Sequence, residues 1–148
     1  IDTGNADVTA LSPDEIKSLI SSGHRIGSHS LTHTMDSSDE QQKSETEIIR
    51  SKEILESAFN TTVTDFCAPF DSLRSTNSNQ MKLIKKHYNF FHATFPGSNM
   101  ESPDPFFIRR TNVECWWPVD VIKFALSDFE WKRWKPKREL FRKEVVGA

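Results

Sequence analysis

The sequence predicts an α/β fold with a largely parallel sheet, and three observations carry that expectation. Segments with helical apolar spacing alternate with short runs of β-branched and aromatic residues, the pattern of a chain that alternates helix and strand. No repeat with a period of about 20–50 residues is present, which argues against a solenoid. The 148 residues, 36% hydrophobic with only 5 Gly and 7 Pro, suit one globular domain and exclude a disordered polymer, a collagen-like repeat and a disulfide miniprotein. A formal charge of −2 offers no global field for nucleic acid or an anionic membrane, so the expected partner is neutral or small.

The elements follow in chain order. Ser12, Pro13 and Glu15 ahead of Ile16, Leu19 and Ile20 supply an N-cap, a first-turn proline and a capping-box acid, predicting a helix over 13–22. Gly23 stands where a left-handed C-cap is wanted, and residues 24–28 read as a short strand running into a loop. The strongest helical signal covers 38–59, where Ile48, Ile49, Ile54, Leu55 and Phe59 repeat at helical spacing behind Asp39 and Glu40. Residues 61–66 read as a strand, 77–87 as a helix using Met81, Leu83 and Ile84, and 90–95 and 106–113 as two further strands. Pro118 opens a helix over 118–127 with Val121, Ile122, Phe124 and Ala125 as its buried face.

A basic aromatic segment, 128–148, closes the single domain 1–148. Its lysines and arginines read as a solvated helix face with Trp131 and Trp134 docking onto the body; a nucleic-acid-binding module is the rival reading. Cys67 and Cys115 read as free thiols. No apolar run approaches the ~20 residues that cross a bilayer, and Ile1 to Asp7 lack the basic start and apolar centre of a signal peptide. Because the chain begins without Met, that says nothing about secretion.

Chemistry concentrates in Gly27-Ser28-His29-Ser30-Leu31-Thr32-His33, which places two imidazoles four residues apart just after a predicted strand. If the backbone makes one turn there, both rings project from one side and can occupy adjacent corners of a metal's coordination shell. Ser30 and Thr32 would support the turn and offer hydroxyls to orient the rings.

This segment, behind a capped helix that ends in Ser-Gly-His, resembles the second motif of the polysaccharide deacetylase family, also called the NodB-homology or carbohydrate esterase 4 family. Phe66-Cys67-Ala68-Pro69-Phe70-Asp71 is similar to its aromatic-x-x-Pro-aromatic-Gly motif, and Phe107 to Val113, led by His92-Ala93-Thr94, resembles an arginine-bearing strand of one bacterial branch. The resemblance covers roughly residues 11–126. It implies a distorted (β/α) barrel whose divalent metal, usually zinc, sits at the carboxyl ends of the strands, held by two histidines and an aspartate while a second aspartate activates water. A cation lowers the pKa of coordinated water toward ~7 and polarises an acetamide carbonyl. Carried onto this sequence, His29 and His33 are the metal ligands. Phe70 presents its backbone N–H to the oxyanion, and Arg110 steadies a carboxylate or sugar hydroxyl, with a structural ion pair as its alternative. Pro69, Trp116 and Trp117 are the substrate-binding candidates; core or lid packing is the alternative for the tryptophans.

The departures are equally specific. No adjacent Asp-Asp occurs, so the base and third ligand lack counterparts, and Asp2 stands in a context unlike that motif. The family's late Leu-x-His is absent, and His87 and His92 read as surface or strand histidines. Cys67 replaces an arginine and reads as a buried thiol; Asp71 replaces a glycine and reads as a turn former. Since (β/α) barrels usually need about 200 or more residues, the expectation is a partial or distorted barrel with N-terminal strands missing, and association through the exposed edge. The implied activity is metal-dependent deacetylation of N-acetylated or O-acetylated carbohydrate outside the cell or in its envelope. A degenerate carbohydrate- or metal-binding member is the rival.

Overall fold

The structure is a computed structural model that describes residues 10–100 and 103–147. Asp2 and the remainder of Ile1 to Asp7 lie outside the described residues. Four chain segments run parallel, side by side. Strand β1 (Asp65–Phe66) pairs with β2 (Phe90–Phe91), Ser28 bridges to the outer side of β1, and Ile108 bridges to His92 just beyond β2. The expected strands at 24–28, 61–66, 90–95 and 106–113 are thus all neighbours, but regular pairing is shorter than their sequence runs. Ladder bonds do continue, as Ala93 N–H to Ile108 and Arg110 N–H to Phe95 show. Pro69, Pro96 and Pro105, which have no N–H to give, stand at the ends of these segments.

Helices cover one face of this sheet. α1 (Pro13–Ser21) begins as expected with a Ser12/Glu15 capping box and is followed by Gly23 at φ +89°, a left-handed turn that glycine adopts without a Cβ penalty. α2 (Gln41–Glu45) runs through a π-helical turn (Thr46–Arg50) into α3 (Ser51–Phe59), ended by left-handed Asn60. Ile48 is fully buried, whereas Ile54, expected on the same apolar stripe, is exposed. Lys52 ties this helix to its neighbours by donating to the carbonyls of Val63 (2.6 Å) and His87 (2.9 Å). α4 (Ser72–Ser75) was not signalled by periodicity; Asp71 caps it, which matches its reading as a turn former. α5 (Ser78–His87) carries an Asn77/Gln80 capping box and buries Met81 and Ile84.

The core lies between helices and sheet. Phe66, Phe91, Ala93 and Phe95 meet Ile48, Met81, Ile84 and Tyr88. Phe141, from α8 (Lys135–Phe141), closes the cluster against Phe91, Phe95 and Phe107 with ring centroids 5.3–6.1 Å apart. Trp134 packs against this core through Phe95, as expected, and the basic residues around it pair with nearby acids, Arg133 with Glu130 and Lys135 with Glu139. The helix predicted from Pro118 is α6 (Val119–Ala125), but it has no buried residue. Val121 and Phe124, expected inside, are exposed because α6 packs chiefly on the short α7 (Asp128–Arg133) and not on the sheet.

Candidate active site

Side chains alternate along a strand, so burying Phe66 and Phe91 under the helices turns Asp65, Cys67, His92 and Thr94 to the opposite face. Together with Arg25, His29, Phe70 and Arg110 they line a cleft of about 590 Å³. His29 follows directly on the bridging Ser28, and its Nδ1 lies 2.8 Å from the Cys67 carbonyl oxygen. A carbonyl only accepts, so Nδ1 carries the proton and Nε2 keeps a lone pair. Desolvation by the cleft walls lowers the His29 pKa, and the His33 and Arg110 charges add to this against the Cys67 hydrogen bond.

The loop after His29 turns back on itself through left-handed backbone at Ser30 (φ 67°) and His33 (φ 61°). It brings the two imidazoles to one side, with ring centroids 4.9 Å apart and planes inclined by 64°. The Phe70 ring meets His33 edge-on at 4.7 Å, and the Arg74 guanidinium lies over Phe70. Ser30 and Thr32 organise the loop instead of the rings. The Ser30 hydroxyl accepts the His33 N–H, and the Thr32 hydroxyl reaches Glu47 at 2.6 Å.

Phe70 also has a left-handed backbone (φ 60°), and among the described residues its N–H has no acceptor. Pro69 is buried beneath it, so that ring shapes the loop and does not face the cleft. Arg110 reaches across from the next segment, its Nη2 2.6 Å from Cys67 Sγ and its Nε directed at the Ala93 carbonyl. No carboxylate among the described residues lies within ion-pair distance of Arg110, so the structural ion pair finds no partner. Burial pushes the Cys67 thiol up in pKa against the pull of that guanidinium, as suits an unreactive thiol. Trp116 is 74% exposed and Trp117 half-buried; neither lines the cleft.

Asp65 and His92 join the site without having been singled out as a pair. His92 Nε2 and Asp65 Oδ1 are 2.8 Å apart, while Arg25 and Thr64 donate to the other carboxylate oxygen. Desolvation opposes ionisation of Asp65, but these three donors outweigh it and hold its carboxyl below the usual range. A polar residue opposite the buried Phe66, in a run otherwise β-branched, was the available signal.

A family model described as polysaccharide deacetylase matches residues 1–88. The chain belongs to the polysaccharide deacetylase family. Two solved structures share its fold: a polysaccharide deacetylase from Bacillus cereus (23% identity, TM-score 0.62) and a protein named for the same family from Bacillus anthracis (24% identity, TM-score 0.64). Each alignment covers 82% of this chain and 38% of the other, so the chain spans about two-fifths of those structures' length. A search of curated proteins returns no match. Polysaccharide deacetylases are generally metal-dependent, and the donor chemistry of the His29–His33 pair fits two ligands of a divalent ion. Among the described residues no group of three His, Cys, Asp or Glu is placed to complete the set. No helix there is long and apolar enough to cross a membrane.

Proposed function

We propose that this chain is the histidine-bearing part of a metal-dependent carbohydrate deacetylase, built on a partial or distorted (β/α) barrel. The observation that carries the reading is the His29–His33 pair, ring centroids 4.9 Å apart, with His29 Nδ1–H bonded to the Cys67 carbonyl so that Nε2 keeps the lone pair a cation needs. A divalent ion, zinc by its preference for imidazole, would supply Lewis-acid polarisation of the acetyl carbonyl. In the hydrolysis the carbonyl carbon gains a water oxygen, the acyl C–N bond of an N-acetyl group (or C–O bond of an O-acetyl group) breaks, a proton from the water passes to the leaving nitrogen or oxygen, and acetate and a free amine or hydroxyl result. Charge develops on the carbonyl oxygen on the way, and the unpartnered Phe70 N–H would donate to it. Arg110, free of carboxylates and facing the cleft, would hold a substrate oxygen or carboxylate. The substrate is an acetylated oligosaccharide or polymer, at N or O, with Trp116 and Trp117 available only to sugar units beyond the cleft. The family resemblance supports a location outside the cell or in its envelope, and the edge beside Ser28, which no described segment pairs on its outer side, is where a further strand would associate.

A non-catalytic relative that binds metal or carbohydrate is the second reading, favoured by the lack of a third donor among the described residues. One experiment addresses both. Zinc should bind the chain with one-to-one stoichiometry and be lost in His29→Ala/His33→Ala; unchanged stoichiometry in that variant would sink the site. Acetate release from chitooligosaccharides by the zinc-loaded chain supports the enzyme, and zinc binding without release supports the binding module.

A further inference from the structure

Glu47 lies on the π-helical turn, 3% exposed, and its carboxylate hydrogen-bonds to the histidine loop. Oε2 accepts the N–H groups of Leu31 (3.0 Å) and Thr32 (2.9 Å), and Oε1 accepts the Thr32 hydroxyl (2.6 Å). Those two residues sit between Ser30 and His33, the loop's two left-handed positions, which side-chain-bearing residues adopt only when the surroundings hold them there. The platform is itself fixed: the Ile48 carbonyl, within the same turn, accepts the Tyr88 hydroxyl (2.6 Å) and the Ser51 hydroxyl (3.1 Å). π turns of this kind recur at functional sites, where they re-aim a helix's side chains.

We infer that Glu47 is a positioning residue for the His29–His33 pair: its buried carboxylate clamps Leu31 and Thr32, two of the three intervening residues, and so sets the spacing of the imidazoles. It touches neither ring. What that spacing is for rests on the proposed reading of the pair as metal ligands, whereas the clamp itself rests on loop geometry alone.

The test compares wild type, Glu47→Ala, Glu47→Gln and Tyr88→Phe, the last removing the hydroxyl that anchors the same helical turn without a hydrogen bond to Leu31 or Thr32. Two readouts are used: Zn²⁺ titration by calorimetry, and nitrogen-15 imidazole spectra of the metal-free chain, which report the Nδ1-protonated form of His29. Glu47→Ala should weaken Zn²⁺ binding by about 10–100-fold and shift the imidazole signals toward those of free histidine. Glu47→Gln, which keeps an oxygen for the two N–H donors, should recover much of both. Tyr88→Phe should lower thermal stability while leaving affinity and spectra unchanged. Wild-type affinity and spectra in Glu47→Ala would overturn the inference, as would an equal loss in Tyr88→Phe. Failure of the wild type to bind Zn²⁺ would sink the metal reading instead, and the imidazole spectra of Glu47→Ala would still decide the clamp.

Discussion

Residues 28–110 and residues 116–133 are both rich in aromatic and branched side chains, yet the molecule uses them in opposite ways. In the first stretch Phe66, Phe91 and Phe95 are fully buried, the alternating Asp65, Cys67, His92 and Thr94 line the cleft, and even the polar side chains Glu47, Ser72 and Gln80 are enclosed with partners. In the second, Trp116, Val121, Phe124 and Phe129 are all largely exposed. The difference lies in what each helix packs against. α3 and α5 lie over a sheet whose alternation offers them an apolar face, while α6 and α7 lie chiefly on each other. Periodicity identifies an apolar face; burial requires a second apolar surface to receive it.

The largest way to break this contrast is Phe91→Ala, which removes a ring packed against Phe66 and Phe141. It should cost about 3–5 kcal/mol in denaturant unfolding. A loss below about 1 kcal/mol would mean that the sheet face is not the principal core. Next is Gln80→Leu. Gln80 accepts the Asn77 N–H and donates to the Asp36 carbonyl and the Ser44 hydroxyl, so a hydrocarbon there strands buried polar groups at about 1–3 kcal/mol. The same unfolding measurement on Gln80→Glu would show whether the donors matter, since the carboxylate keeps only the accepting role.

Acidification tests the polar side of the same stretch. For both Glu47 and Asp65, desolvation works against ionisation, and hydrogen bonds to the carboxylate outweigh it and leave the folded pKa lowered. A lowered folded pKa means that stability from these groups is fully present above the ordinary carboxylate range, near about 4, and is lost as pH falls through the folded values. Unfolding midpoints should therefore fall on the acid side, and Glu47→Gln/Asp65→Asn should flatten that slope. An unchanged slope in the double variant would assign the acid sensitivity to other carboxyls.

The local signals in the sequence were accurate where they rested on short-range chemistry. The Ser12 and Asn77 boxes, the left-handed Gly23 and the turn that brings His29 beside His33 all depend on residues within a few positions of each other. What could not be read was long-range. Asp65 meets His92 across 27 residues, Arg110 reaches Cys67 across 43, and Glu47 holds a loop 15 and 16 residues away; only the fold creates those contacts. The exposed face of α6 has the same root, because Val121 and Phe124 show the right spacing for burial while the sequence does not state what they would be buried against.

α1, ahead of both regions in the chain, has no buried residue and depends on its own capping. Ser12→Ala removes the hydroxyl that accepts the Glu15 N–H and should cost about 1 kcal/mol, read as faster amide exchange confined to α1. Exchange that quickens throughout the sheet would instead make α1 part of the same cooperative unit as the core.

The smallest expected effect is the sharpest test of the contrast. Phe124 and Phe129 touch each other, with ring centroids 5.9 Å apart, but are 50% and 68% exposed. Replacing both with serine removes one ring pair and relieves water of a large apolar surface, so global stability should change by no more than about 0.5 kcal/mol. Solubility should rise, since an exposed apolar cluster favours self-association. A loss approaching that of Phe91→Ala would show that α6 and α7 bury this pair in solution, and the distinction between the two regions would collapse to one of surface accessibility in a single conformation.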